Sequence, residues 1–161
     1  MKDLKKIMFF AIAIFTLAMS TSCSSDDSKD DENDDQPTTD FIQFKYKESD
    51  YTYESSLSSS GNINISGSTG IDDTYQKVTL WLPLNPTVGS HNVVFDSLNL
   101  TTTYQASFSF KPELTNASAT SGTINITKVN ASRIEGTFSF SGTQGDKTFT
   151  VTQGRFSVER F

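Results

Sequence analysis

Residues 134–158 read IEGTFSFSGTQGDKTFTVTQGRFSV, and their alternation decides the fold class. Ile134, Phe138 and Phe140 lie at even positions with polar or small residues between them. Phe149 and Val151 repeat the pattern after the glycine-containing stretch Ser141–Lys147. Successive side chains of a strand point to opposite faces, so this period of two describes two half-buried strands joined by a hairpin. One detail breaks the rhythm. Phe149 and Val151 are odd-numbered, whereas Phe156 and Val158 are even-numbered. A regular strand would turn these pairs to opposite faces. The intervening Thr152-Gln153-Gly154-Arg155 predicts a bulge or turn near Gly154 that restores the inward parity, with the glycine supplying a positive φ.

The same period recurs upstream. Ile42, Phe44 and Tyr46 form one stripe, Tyr51 and Tyr53 another, and Ile63 and Ile65 a third. Val78, Leu80, Leu82 and Leu84 form the longest, followed by Tyr104, Ala106, Phe108 and Phe110, then Ile124 and Ile126. Gln105, Ser107 and Ser109 face away from their stripe. No stretch after residue 40 carries helical spacing of apolar residues. Turn residues at 48–50, 59–61, 67–73, 89–90, 121–122 and 142–146 separate the stripes, and Pro83 and Pro86 end the Leu stripe. Connections this short favour antiparallel neighbours. The expected fold is all-β, an antiparallel sandwich or flattened barrel of eight to ten strands spanning residues 41–161, without substantial helix.

The segments before residue 41 have a different chemistry. Residues 1–22 place Lys2, Lys5 and Lys6 before the apolar run Ile7–Met19 and the small residues Ser20, Thr21 and Ser22. That order is the order of an export signal. The apolar run has 13 residues, short of the roughly 20 that a spanning helix needs. Residues 23–40 hold eight acids against Lys29, while residues 41–161 hold ten acids and nine bases. The net charge of −6 therefore belongs to one short segment. Neither part offers the basic excess that nucleic-acid binding requires. Residues 24–40 contain no aliphatic or aromatic side chain, so they read as a disordered tether with a random-coil reach of roughly 23 Å.

Cys23 is the single cysteine, which excludes an intramolecular disulfide or a multi-thiolate metal site. Its setting resembles the lipobox of bacterial lipoproteins. Thr21 and Ser22 fit the positions before the cysteine, and Ser20 stands where that family usually has leucine. The resemblance implies cleavage before Cys23, acylation of its thiol and amino group, and a lipid anchor in the outer membrane. Ser24, Ser25, Asp26 and Asp27 resemble the surface-export tag of Bacteroidota lipoproteins, which implies a location facing the cell exterior. The motifs at 121–128 (SGTINITK), 136–140 (GTFSF) and 152–156 (TQGRF) resemble an uncharacterised family of Bacteroidota lipoprotein domains. That family carries no established activity, so the resemblance bears on fold and location.

The inventory for catalysis is thin. His91 is the single histidine and reads as an exposed turn residue. No GxSxG, HExxH, CxxC or GxxxxGK[ST] pattern occurs. Asp31, Asn33 and Asp35 mimic the start of an EF-hand loop, but Gln36 and Ile42 occupy its glycine and glutamate positions. No cofactor or metal is expected, and the expected function is non-enzymatic. The alternative is a carbohydrate- or small-ligand-binding module of a surface uptake system. It would use Trp81, whose alternation with Leu80 and Leu82 turns it outward, with Tyr51, Tyr53 or Tyr75 able to join it, or else a barrel interior lined by Phe108, Phe110, Phe138 and Phe140. The favoured reading of Trp81 is a ring covered by a loop or by the opposite sheet of a barrel, since single surface aromatics need no explanation. Asp96-Ser97-Leu98 resembles the O-glycosylation acceptor of Bacteroidota envelope proteins and marks Ser97 as a modification candidate.

Overall fold

Alternating burial carries directly into backbone geometry. In the computed structural model, which describes residues 39–160, nine strands follow one another. They are β1 (Phe41–Tyr46), β2 (Ser49–Ser59), β3 (Ile63–Thr69), β4 (Gln76–Leu82), β5 (Gly89–Asn92), β6 (Gln105–Phe110), β7 (Leu114–Val129), β8 (Arg133–Gln144) and β9 (Lys147–Glu159). A 3-10 turn at Asp72–Thr74 joins β3 to β4. Cys23, Ser24, Ser25, Asp26 and Asp27 lie outside the described residues, as do the signal and most of the tether.

All ladders between the named strands are antiparallel. The order β7-β6-β4-β3-β2-β1-β9-β8 closes on itself through a β7–β8 ladder. The fold is therefore an eight-stranded closed barrel, with β5 added beside residues 123–126 of β7. Two long strands make its corners. β2 pairs with β1 through Glu54 and with β3 from Ser55 onward. β7 pairs with β6 as far as Ser118 and with β8 from Ala119. Strands that change partners in this way bend one sheet over the other and flatten the barrel.

The inward stripes fill the interior. Ile42, Ile65, Val78, Leu80, Phe108, Ile124, Ile134 and Val151 are wholly buried. Phe108 packs on Tyr46, Phe44 and Phe149 at ring separations of 4.8, 5.8 and 5.9 Å. Phe140 lies 5.8 Å from Phe138 and 6.3 Å from Phe149. Rings in mutual contact are a packed core, so these four strands do not hold an open ligand chamber between their phenylalanines.

Three inward glycines make room for those rings. Gly136 faces Phe156, Gly142 faces Phe149 and Gly154 faces Phe138 across the β8–β9 ladder. A Cβ at these glycines would lie 2.8, 2.7 and 2.4 Å from the facing ring. Each phenylalanine ring thus occupies the space over its partner's bare backbone, the glycine–aromatic pairing that curved sheets use.

The β9 bulge is present where the parity slip places it. Phe138 pairs with Gly154 and Phe140 with Val151, so β9 carries one extra residue there. The β1 ladder shows the same extra residue, with Gln43 opposite Arg155 and Lys45 opposite Thr152. Phe149, Val151, Phe156 and Val158 all end up buried. The positive φ, however, belongs to Gln153, at 52°, and not to Gly154. Four smaller readings also change. Leu84 is exposed, because Pro83 stops β4 at Leu82. Ser121-Gly122 is a bulged part of β7 instead of a turn, and the β8–β9 connection shrinks from Ser141–Lys147 to Gly145-Asp146. Gln105 and Ser109 are buried on the outer side of β6. The chain before β6 folds over Gln105, whose Nε2 donates to the Asp96 carbonyl at 2.6 Å.

Asp40 fastens the start of β1. Its Oδ1 accepts from Arg133 Nη2 at 2.8 Å and from the Glu159 backbone N–H at 3.0 Å. The same guanidinium donates to Ser157 Oγ at 2.8 Å. One carboxylate therefore ties the chain entering the barrel to both β8 and β9.

Candidate binding cleft

Outward residues of five strands meet around the β9 bulge. A cleft of about 450 Å³ lies over β7, β8 and β9, lined by Thr123, Asn125, Thr137, Ser139, Gln153 and Arg155, with Phe138 and Gly154 at its floor. A second, of about 300 Å³, continues over β1 and β2 and is lined by Gln43, Asp50, Thr52, Gln153 and Arg155 among others. A third, of about 320 Å³, adjoins them along β8 and β9 and also includes Arg155. Arg155 is thus common to all three and sits at the centre of the trough.

The local backbone explains this position. A bulge bends its strand and re-aims the neighbouring side chains. Gln153, the extra residue, is exposed, and Arg155 follows it between Thr137 on β8 and Gln43 on β1. Arg155 makes no side-chain hydrogen bond or ion pair among the described residues. Its neighbours are mostly hydroxyls and amides, with Asp50 and Glu135 the acids lining the adjoining clefts. Chemically, the trough offers a planar fork of donors suited to a carboxylate or phosphate, plus groups that exchange hydrogen bonds with hydroxyls.

The candidates named from sequence do not assemble there. Trp81 is half-buried on the outer side of β4, between Asn64 of β3 and Gln105 of β6, with no ring stacked on it. Tyr51 and Tyr53 turn inward: Tyr51 stacks on Phe44 at 5.4 Å, and the Tyr53 hydroxyl donates to Gln76 Oε1 at 2.6 Å. Burial holds the Tyr53 hydroxyl well above the usual tyrosine pKa. Among the described residues, no aromatic platform forms around Trp81. Ser97 is exposed in a turn where Asp96 accepts from the Leu98 N–H at 3.1 Å and from Asn99 Nδ2 at 2.7 Å. The Asn99 and Leu98 hydrogen bonds lower the Asp96 pKa. His91 is half-buried in β5, not an exposed turn residue, and stacks on Tyr104 at 3.9 Å. Among the described residues, no three of His, Cys, Asp and Glu are grouped so as to hold a metal ion.

In the sequence, Gln153 and Arg155 stand out only as members of a bulge. Their signal was the bulge itself, since such irregularities concentrate beside binding sites.

No curated protein and no solved structure matches the chain. A family model described as a domain of unknown function, DUF6252, matches residues 42–158, from the first inward residue of β1 to the last of β9. By that match, which spans the barrel, the chain belongs to the DUF6252 family.

Proposed function

We propose that the chain is a non-enzymatic envelope lipoprotein, anchored in the outer membrane through acylated Cys23 and facing the cell exterior. The observation that carries this reading is the order of basic residues, a 13-residue apolar run, small residues and Cys23, followed by the acidic segment. The barrel suits such a display, because a closed ring of strands leaves few free edges for unwanted pairing. The Asp40–Arg133 clasp supports the reading further by fixing the point where the tether would meet the fold.

Cys23→Ser tests the anchor. The variant is expected to leave the membrane fraction on cell fractionation, and its complete retention there would overturn the reading. Export is tested separately by replacing Asp26 and Asp27 with alanine. The expected product stays membrane-bound but becomes protected from protease added to intact cells. Unchanged accessibility would leave the acidic segment as a tether only.

A second reading, a carbohydrate- or small-ligand-binding module, is favoured by Arg155 at the centre of a hydroxyl- and amide-lined trough. The chemistry suits an acidic saccharide, with the guanidinium on the carboxylate and the amides on ring hydroxyls. Titration with uronate-containing oligosaccharides tests it. Arg155→Ala should weaken binding about 10-fold or more, the loss expected for a charge-assisted hydrogen bond, and leave thermal stability nearly unchanged. Equal binding by both proteins would remove the trough from consideration.

A further inference from the structure

The two ends of the barrel differ in chemistry. At one end the turns are charged, with Lys47-Glu48, Asp72-Asp73 and Asp146-Lys147 at their tips. At the other, the long connection 83–104 contains one formal charge, Asp96, in its whole length. It exposes large apolar side chains instead: Leu98 is 90 % accessible, Val88 62 % and Phe95 60 %. Of the seven exposed large hydrophobics among the described residues, all but Ile71 lie in this connection. Soluble surfaces carry scattered apolar residues, but a concentrated patch marks a contact.

The connection is held in shape. Val93 and Pro86 are buried beneath it, and the Thr87 N–H donates to the Tyr104 hydroxyl at 3.3 Å. Gln105 grips Asp96 from below, donating to its carbonyl and accepting from its N–H at 3.2 Å. The apolar tips are therefore presented by a built loop. The loop also adjoins the point where the chain enters the fold. Arg160 Nη2 donates to the Leu84 carbonyl at 3.3 Å, one residue beyond Glu159, whose N–H is bound by Asp40.

We infer that Val88, Phe95 and Leu98 form a lipid-contacting tip that seats this end of the barrel on the bilayer. The inference rests on the anchor reading above. An anchor attached through residues 24–40 reaches the barrel at Asp40, so the end bearing Asp40 is the end nearest the membrane. A linker this short holds its two partners at up to millimolar effective concentration. Three exposed apolar side chains, in a connection with a single formal charge, then supply the apolar area for contact with the interfacial region. The charged turns lie at the opposite end of the strands.

Depth-dependent quenching tests the geometry. The full chain, acylated at Cys23, carries a single new thiol by Leu98→Cys or, as the far-end control, Asp146→Cys. Each is labelled with an environment-sensitive fluorophore and reconstituted into phosphatidylethanolamine–phosphatidylglycerol vesicles containing spin-labelled lipid. Quenching several-fold stronger at residue 98 than at residue 146 is expected, and Phe95→Ser with Val88→Ser should reduce it. Vesicle flotation with equal quenching at both positions overturns the tip and leaves the anchor intact. Failure to float overturns both. A probe at residue 98 that is shielded without lipid, in a protein that sediments as a dimer, assigns the patch to a second copy and also overturns the inference.

Discussion

Phe149→Ala is expected to cost about 3–5 kcal/mol of stability, the range for a phenylalanine removed from a packed core. The ring is 2 % accessible, touches Phe108 and Phe140, and lies over Gly142. Removing it leaves a void bounded by a glycine on the facing strand, and glycine has no side chain with which to relax into the space. On that side nothing can relax to soften the truncation. Against a domain stability of about 5–15 kcal/mol, one substitution consumes much of the margin. Urea denaturation of the variant should show a lower midpoint with an unchanged slope. A loss under about 1 kcal/mol would mean that the β8–β9 interior is loosely packed, contrary to the ring contacts.

Gly154→Ala should cost about 1–3 kcal/mol or more. The cause is a collision, since the new methyl would lie 2.4 Å from the Phe138 ring. Backbone preference is not the cause, because the left-handed conformation of the bulge falls on Gln153. The two explanations separate in a double-mutant cycle. In a Phe138→Ala background the methyl has room, so Gly154→Ala should cost less than half of its penalty in the parent. Additive penalties would show that the ring is not what demands glycine. Conversely, Gln153→Gly should be neutral or mildly stabilising, since glycine adopts positive φ without strain.

Much of this fold is legible in the sequence, and the reasons differ by element. The stripes of β1, β3, β8 and β9 are visible because each buries one face, which imposes strict alternation on Ile42, Phe44 and Tyr46 or on Phe149 and Val151. The bulge is visible because parity is arithmetic. Its fine structure is not, because two demands compete for glycine: positive φ at one residue and an absent Cβ at the next. The Phe138 ring wins, and Gln153 takes the strained conformation. Barrel closure is hidden because it depends on ladders between distant segments, β1 with β9 and β7 with β8. The corner in β7 is hidden as well, since Ser121-Gly122 looks like a turn when its neighbours on both sides are unknown. The trough escapes for a related reason. Thr123, Thr137, Gln43 and Arg155 resemble ordinary solvent-facing residues one strand at a time, and become a site only when the strands are laid side by side.

The ladder between β1 and β9 sets an order of events for folding. Phe41 pairs with Ser157 across nearly the whole length of the domain, and β1 finds its other neighbour in β2. The β8–β9 and β1–β2 hairpins are local and can form early, whereas the seam between them brings together residues more than a hundred positions apart. Contacts of such high sequence separation slow folding, because loop-closure entropy is lost before the contact is gained. The ring cannot shut while the last strand is still being synthesised. A chain that still lacks β9 therefore stays open, with β1 and β8 each short of one ladder.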